Sequence, residues 1–91
     1  MKPLHLNLKG EYFEQIKSGE KKEEYRLYNE FWKRRLLGRD YSSIIIKLGY
    51  PKQGDSERTI VRPWKGFVIK EIQHKHFGDE PVKVFAIQVN K

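Results

Sequence analysis

A chain of 91 residues has room for one domain with a modest core, because a domain this small buries only about two thirds of its unfolded surface. It contains no cysteine, which excludes disulfides and thiolate chemistry and suits a reducing cytoplasm, where we expect the protein to reside. We see no secretory signal and no apolar run near the roughly 20 residues that cross a bilayer, so we expect no membrane partner.

The formal charge of +7 is spread along the chain rather than collected in a tail. Residues 1–40 carry ten Lys and Arg against seven Asp and Glu, and residues 41–91 carry nine against five. A basic surface favours a polyanion as partner, since each neutralised phosphate releases counterions. The alternative is a well-solvated basic surface without a nucleic-acid partner, and the charge alone leaves both open.

The first 20 residues predict a strand followed by a short helix. The leucines of Leu4–Leu8 alternate with polar residues, which is the period of a half-buried strand with His5 facing outward. Gly10 opens the helix, whose apolar residues recur at helical spacing. Gly19 ends it, and we expect this glycine to adopt the left-handed cap conformation.

Residues 19–26 hold a dense mixture of charges and run into a strand predicted at 21–28. The pleat gives this strand two faces: Lys22, Glu24, Arg26 and Tyr28 on one, and Lys21, Glu23, Tyr25 and Leu27 on the other. We expect the second face, which holds apolar residues, to lie on the core, with Lys21 and Glu23 near the mouth of a cleft. On the first face Glu24 and Arg26 are close enough to pair, which indicates either a cleft rim or a solvated charged surface.

A second short helix is predicted at residues 30–37, with Asn29 as its cap. We interpret Trp32 as a core anchor. Arg34 and Arg35 lie in the most basic part of the chain, and arginines beside an aromatic residue suit phosphate contact and base stacking. The alternative is that both arginines are solvated surface residues.

The second half of the chain predicts further strands. The hydrophobic strand at residues 41–48 is expected to be central, and residues 52–56 form a polar turn. Arg58 and Arg62 fall on one side of a short edge strand, which makes that side basic. The apolar residues of 67–72 change phase, which indicates a bulge or a bend. The last strand places Phe85, Ile87 and Val89 on one face.

Enzyme motifs are scarce. The chain has no nucleophile elbow, phosphate-binding glycine loop or metal-ligand cluster, which argues against nucleotide-triphosphate hydrolysis and metallohydrolase chemistry, and we expect no metal or cofactor. His74 and His76 have the spacing of metal ligands, but cysteine is absent and the nearby carboxylates lie in a loop, so we favour a surface pair that contacts phosphate. What remains is a lysine–carboxylate–arginine group. It suits amide hydrolysis or RNA cleavage with the lysine as base, or phosphate binding without chemistry.

The spacing Gly-x-Lys-x-x-Glu-x-Arg, formed by Gly19, Lys21, Glu24 and Arg26, resembles the signature of the ASCH domain family. The order of elements around the motif is similar as well, with a strand and a short helix before it and hydrophobic strands after it. The resemblance implies a small PUA-like β-barrel. The pattern alone predicts a β-rich α+β domain over residues 1–91, with about six short strands and two short helices.

The resemblance also implies functions. ASCH domains resemble RNA-binding modules, while some small stand-alone members are amidohydrolases that act on acylated cytidine and others are reported as ribonucleases. In the amidohydrolases the motif lysine, here Lys21, is thought to activate a threonine three residues further on, with help from a distant glutamate. At the threonine position this chain has Glu24, which departs from that mechanism, and Glu71 is the candidate for the distant carboxylate.

We therefore predict a single domain that binds RNA, or a nucleotide within it, in a basic cleft. Lys21, Glu24 and Arg26 form its floor and are the catalytic candidates if the protein is an enzyme. The predicted nucleic-acid contacts are Lys22, Tyr25, Tyr28, Arg34, Arg35, Arg58 and Arg62, of which Tyr25 or Tyr28 stacks a base. The alternatives are an enzyme, either an amidohydrolase on modified nucleosides or a ribonuclease, and more weakly a protein-interaction adaptor.

Overall fold

The structure is a computed structural model that describes residues 1–49 and 58–91. In these ranges the chain forms six strands, two α-helices and a turn of 3-10 helix at Lys75–Phe77, which confirms the predicted α+β class. The predicted turn at residues 52–56 lies outside the described residues. The elements are β1 Leu4–Leu8, α1 Gly10–Ser18, β2 Glu23–Leu27, α2 Glu30–Leu36, β3 Ile44–Leu48, β4 Thr59–Arg62, β5 Phe67–Ile72 and β6 Val82–Gln88.

The strands form two sheets of three strands each. In the first sheet β3 lies between β1, its parallel neighbour, and β4, its antiparallel neighbour, which confirms the central position predicted for this strand. In the second sheet β6 lies between β2 and β5 and pairs antiparallel with both. Across the described ranges the two sheets are not joined into one closed barrel, so the barrel stays a prediction.

One hydrophobic core joins the two sheets and the two helices. The alternation predicted for β1 is confirmed, since its leucines are buried and His5 is exposed. β6 is buried on both faces, because it is the central strand of its sheet. The side chains without measurable exposure include Leu6, Leu36, Ile44, Ile46, Val84, Phe85, Ala86, Ile87 and Val89.

The bulge predicted in β5 is wrong. The strand pairs with β6 in one continuous register, from Phe67 opposite Ile87 to Ile72 opposite Val82. Val68 and Ile69 are 46% and 42% exposed. The apolar residues change phase because both faces of this edge strand carry partly exposed apolar side chains, and the backbone itself is regular.

The two helix caps fix the ends of the segment that contains β2. Gly19 adopts the predicted left-handed conformation with φ 88°, and its N–H donates to the carbonyl of Ile16. The Asn29 side chain accepts a hydrogen bond from the Trp32 N–H at 3.0 Å, as predicted for the cap of α2. β2 therefore runs between two capped helices.

No helix in the described ranges is long and apolar enough to cross a membrane.

Candidate functional site

The three charged residues of the motif form one cluster. The N–H of Lys21 donates to the carbonyl of Gln15 at 2.9 Å, which ties the lysine to the end of α1. The Arg26 Nη2 donates to Glu24 Oε2 at 2.9 Å, so the predicted pairing of Glu24 and Arg26 is confirmed. The Lys21 Nζ lies 3.7 Å from the other oxygen of the same carboxylate. Arg26 also donates to the backbone carbonyl of Asn7 at 3.1 Å, which connects the cluster to β1.

The face of β2 that we predicted to cover the core is the wrong one. Glu24 is buried with 7% exposure, whereas Leu27 on the opposite face is 40% exposed. The apolar residues of the opposite face suggested the wrong orientation, because they lie partly on the surface. Glu24 is buried because its carboxylate has two cationic partners, and such pairing is what makes a buried charge tolerable.

The Glu24 carboxylate has lost most of its contact with water. Burial raises the pKa of Glu24, while the charges of Arg26 and Lys21 lower it and offset part of the effect. The side chains of all three residues are less than a quarter exposed, at 9% for Glu24, 13% for Lys21 and 21% for Arg26. A desolvated cluster of opposite charges interacts strongly with a ligand that enters it, since water screens it little.

Aromatic rings surround the cations. The Lys21 Nζ lies 4.7 Å from the centroid of the Tyr25 ring and 5.3 Å from that of Tyr12. The Arg26 Cζ lies 5.1 Å from the centroid of Trp32. These distances are within the range of cation–π attraction. The rings therefore hold the two cations in place from the sides, while Glu24 holds them from below.

These groups line a cleft of about 260 Å³ between β1, α1, β2 and the 3-10 turn. Its volume is at the small end for a ligand site, since pockets for drug-sized molecules enclose roughly 300–1,000 Å³. A small ligand, or one small group of a longer ligand, suits it better than a large ligand. The lining residues include Asn7, Lys9, Tyr12, Lys21, Glu24, Tyr25, Arg26, Trp32, His74 and Phe77.

Glu23, which we expected near the mouth of this cleft, belongs to a different network on the other face of β2. Its carboxylate accepts hydrogen bonds from Lys70 at 2.8 Å and Gln88 at 2.9 Å, and from the Tyr25 hydroxyl at 3.3 Å. The hydrogen bond from Lys70 is the main cause that lowers the pKa of Glu23. Burial, followed by the nearby Glu23 charge, raises the pKa of the Tyr25 phenol.

Several predicted nucleic-acid contacts lie outside the cleft. Lys22 is exposed and lines a shallow depression on the other side of Lys21. Tyr28 packs on Phe85 with 5.0 Å between ring centroids. Arg34 and Arg35 are exposed on α2, and Arg58 is exposed beside β4. Among the predicted stacking residues, Tyr25 is therefore the one that the fold brings to the charged cluster.

Arg62, which we predicted as a phosphate contact, is buried and is not among the residues that line the cleft. The residue is only 9% exposed, and its Nη2 donates to the carbonyl of Ile16 at 3.2 Å. That carbonyl, which also accepts a hydrogen bond from the Gly19 N–H, lies in the last turn of α1, where the helix dipole attracts a cation. The alternation that put Arg62 beside Ile60 was right, but the shared side is the core side.

The sequence interpretation missed most of the cleft walls. Trp32 does pack against the core as predicted, but it also lines the cleft. His74, predicted as a surface residue, is partly buried and lies 6.1 Å from the Tyr12 ring and 6.3 Å from the Tyr25 ring, in centroid distances. The side chain of His76 lies outside what the structure describes. The strong signal in the sequence was the motif itself, because the walls come from segments far apart in the chain.

Neither a metal site nor the distant carboxylate is brought to the cluster. Glu71 is exposed on β5, where it pairs in register with Lys83 of β6, and it lies outside the cleft. In the described part of the chain no three His, Asp or Glu side chains group closely enough to hold a metal ion.

Comparison of the chain with known protein families, with curated proteins and with solved structures found no match.

Proposed function

We propose that this protein binds single-stranded RNA and takes one nucleotide of it into the cleft, as an ASCH-type module of the PUA-like barrel class. The observation that carries the proposal is the pair of cations, Lys21 and Arg26, held around a buried carboxylate on the floor of an aromatic-walled cleft. Proteins that bind single-stranded RNA combine these parts, because cations contact phosphate, rings stack on bases and polar groups read base edges.

Arg26 is prepared for such a role by its contacts. Its guanidinium donates to Glu24 and to the Asn7 carbonyl and lies over the Trp32 ring. A planar guanidinium held on three sides has little conformational entropy left to lose when it binds. Such a group suits the paired oxygens of a phosphate or the acceptor edge of a base.

An enzyme is the second candidate, either an amidohydrolase on acylated cytidine-type nucleosides or a ribonuclease. It is favoured by the contact between Lys21 and Glu24, because a lysine and a carboxylate side by side are groups that general acid–base catalysis uses. Burial raises the pKa of Glu24. We place binding first because Lys21 is held by attraction to its positive charge, from the Tyr12 and Tyr25 rings and from Glu24. A positive charge held in this way is positioned to contact an anion.

Titration of a fluorescent single-stranded RNA, followed by anisotropy at low and high salt, tests the proposal. We expect binding that weakens steeply with salt. Lys21→Gln should weaken binding about tenfold, since a hydrogen bond to a charged group contributes about 1.5–3 kcal/mol. Lys2→Gln is the matched control, because Lys2 is an exposed cation beyond the other end of β1. Absence of binding at both salt concentrations, or an equal loss in the two variants, would contradict the proposal.

A denaturing gel of each titration sample separates binding from cleavage. Intact RNA supports the binding module, and shortened RNA would move the protein to the ribonuclease class. For any hydrolysis that is detected, on RNA or on acylated nucleosides, Lys21→Arg is the decisive variant. It keeps the charge but cannot act as a base, so binding should survive while hydrolysis stops. An unchanged hydrolysis rate would exclude Lys21 as the base.

A further inference from the structure

The outer surface of α2 carries an aromatic residue that the core does not use. Phe31 is 53% exposed. The guanidinium carbon of Arg35 lies only 3.5 Å from the centroid of its ring, and Arg35 Nη1 donates to the Phe31 carbonyl at 3.1 Å. One helical turn therefore holds a planar cation flat against an exposed ring. Arginine planes and aromatic rings are the two protein surfaces on which unpaired bases stack.

This surface is continuous with the cleft. The Phe31 ring lies 5.2 Å from the Trp32 ring in an edge-to-face contact, and Trp32 lines the cleft. The Arg26 guanidinium also contacts Trp32, with its Cζ 5.1 Å from the centroid of the ring. Arg35, Phe31, Trp32 and Arg26 thus form an unbroken row of cations and rings. It leads from the outside of α2 to the cleft floor.

The charge of this surface complements a polyanion. Three basic residues occupy the last turn of α2, and Arg39 follows it. Lys33 forms an ion pair with Glu30 at 3.4 Å. Arg34, three residues after Phe31 on the helix, and Arg39, just beyond the helix, are exposed, and Arg39 Nε donates to the Arg34 carbonyl at 3.3 Å. A neutral or cationic partner finds little that is complementary here. A phosphodiester finds the exposed guanidinium groups of Arg34 and Arg39 at the end of the helix that carries the exposed Phe31 ring.

We propose that the outer face of α2 is a second nucleotide subsite. Phe31 and Arg35 stack the base next to the nucleotide in the cleft, and Arg34 and Arg39 contact the phosphates that follow it. This inference rests on the proposed function and specifies its ligand. The ligand is a strand of at least two nucleotides, and a free nucleoside fills only half of the site.

The experiment compares two ligands on the same variants. A mixed-sequence fluorescent RNA hexanucleotide is titrated by anisotropy, and the four ribonucleoside monophosphates are titrated by calorimetry. Phe31→Leu should weaken binding of the hexanucleotide about tenfold and leave binding of the monophosphates within about twofold, because it removes the ring on which the second base stacks. Phe31→Trp, which restores a ring, should bind the hexanucleotide like the unmodified protein. Val61→Ala is the control, since Val61 is an apolar residue with 62% exposure on β4.

The outcomes separate this inference from the proposed function. If the unmodified protein binds neither ligand, the proposed function itself fails. If both ligands bind but Phe31→Leu leaves the hexanucleotide unchanged, the second subsite is wrong while the cleft stands. An equal loss for both ligands would also overturn it, because Phe31 would then act only through Trp32 and the cleft. Thermal unfolding of each variant confirms that it is folded, which we expect because Phe31 is exposed.

Discussion

Glu23 and Glu24 are neighbours on β2, yet they lie on opposite faces of the strand in opposite environments. Glu23 accepts hydrogen bonds from Lys70, Gln88 and Tyr25 on a partly exposed face, and its pKa is lowered, mainly by Lys70. Glu24 is buried between Arg26 and Lys21, and its pKa is raised because burial outweighs both cations. The same side chain therefore stabilises the sheet at one position and bears a cost of desolvation at the next.

The difference separates a structural face from a functional one. In the Glu23 network the hydrogen bonds from Lys70 and Gln88 tie β2 to β5 and β6, while the third comes from the hydroxyl of Tyr25, whose ring lines the cleft. The Glu24 cluster removes three charged groups from most of their water, and an apolar cluster of the same volume would fill this space at lower cost. Ionisable groups that are buried in a cleft despite such a cost are candidates for a ligand site.

The largest expected effect is the loss of folding stability when Glu24 is replaced by alanine, compared with the same replacement at Glu23. Glu24→Ala leaves Arg26 and Lys21 partly buried without their shared anion, so we expect the free energy of unfolding to fall by about 3 kcal/mol. Glu23→Ala should cost much less, because Lys70 is exposed enough for water to replace the carboxylate. Urea unfolding of both variants measures the difference. Equal losses would mean that burial does not distinguish the two carboxylates.

The second effect concerns ligand binding, for which we expect the cation beside Glu24 to matter and the cation beside Glu23 to matter little. Arg26→Gln and Lys70→Gln each remove one cation that contacts one of the two glutamates. We expect Arg26→Gln to weaken RNA binding by about tenfold, since it removes a charged donor from the cleft, whereas Lys70→Gln should change it by less than about twofold. Anisotropy titration at one fixed salt concentration measures both. A similar loss in both variants would show that overall charge, and not the cleft, determines affinity.

The two faces of β2 also show what sequence patterns can and cannot predict. The class of fold, the strand order along the chain, the Gly19 and Asn29 caps and the contact of Glu24 with Arg26 all follow from local spacing. Local spacing does not show which face of β2 is buried. The apolar residues Tyr25 and Leu27 favoured one face, but the opposite face is buried because cations surround Glu24 there. That preference depends on Asn7, which is 19 residues away from Arg26 in the chain.

The burial of Arg62 and the residues of the cleft walls were not predicted, and the reason is the same for both. Alternation placed Arg62 beside Ile60 correctly, but only the packing of α1 against this strand supplies the Ile16 carbonyl that accepts its hydrogen bond. Tyr12, Trp32 and His74 come from a helix, a second helix and a loop. The pairing of β6 with both β2 and β5 brings the loop of His74 to β2, and the hydrogen bond from Arg26 to the Asn7 carbonyl joins β2 to β1, which leads into the helix of Tyr12. Long-range pairing of this kind leaves no periodic signal in a single sequence.

The third effect tests how the turn before β2 positions the cluster. Gly19 and Gly66 both have positive φ, at 88° and 81°, and a Cβ would meet no atom within 4 Å at either position. Replacement by alanine should therefore cost a similar amount at both, about 1 kcal/mol of backbone strain. Gly19→Ala should also weaken RNA binding, because Lys21 follows two residues later, whereas Gly66→Ala should not. Urea unfolding and anisotropy together check this, and equal binding in the two variants would exclude Gly19 as a positioning residue.

The smallest effect is a pH dependence whose sign differs between the two carboxylates. The ordinary pKa is 4.5 for both, lowered in folded Glu23 and raised in folded Glu24. Below 4.5 the unfolded chain therefore holds more protons at Glu23 than the folded protein, so this residue contributes stability that is lost as the pH falls through its folded pKa. Above 4.5 the folded protein holds more protons at Glu24, so stability falls as the pH rises through its folded pKa.

Glutamine at each position removes one of these slopes. Urea unfolding from about pH 3 to about pH 7 should show that Glu23→Gln differs from the unmodified protein with a slope below pH 4.5, and Glu24→Gln with a slope above it. Glu24→Gln keeps the side-chain volume and an oxygen that can accept from Arg26, so the comparison reports the charge and not a cavity. If both variants differed from the unmodified protein in the same pH range, the two faces of β2 would share one environment, and the distinction between a structural face and a functional one would be lost.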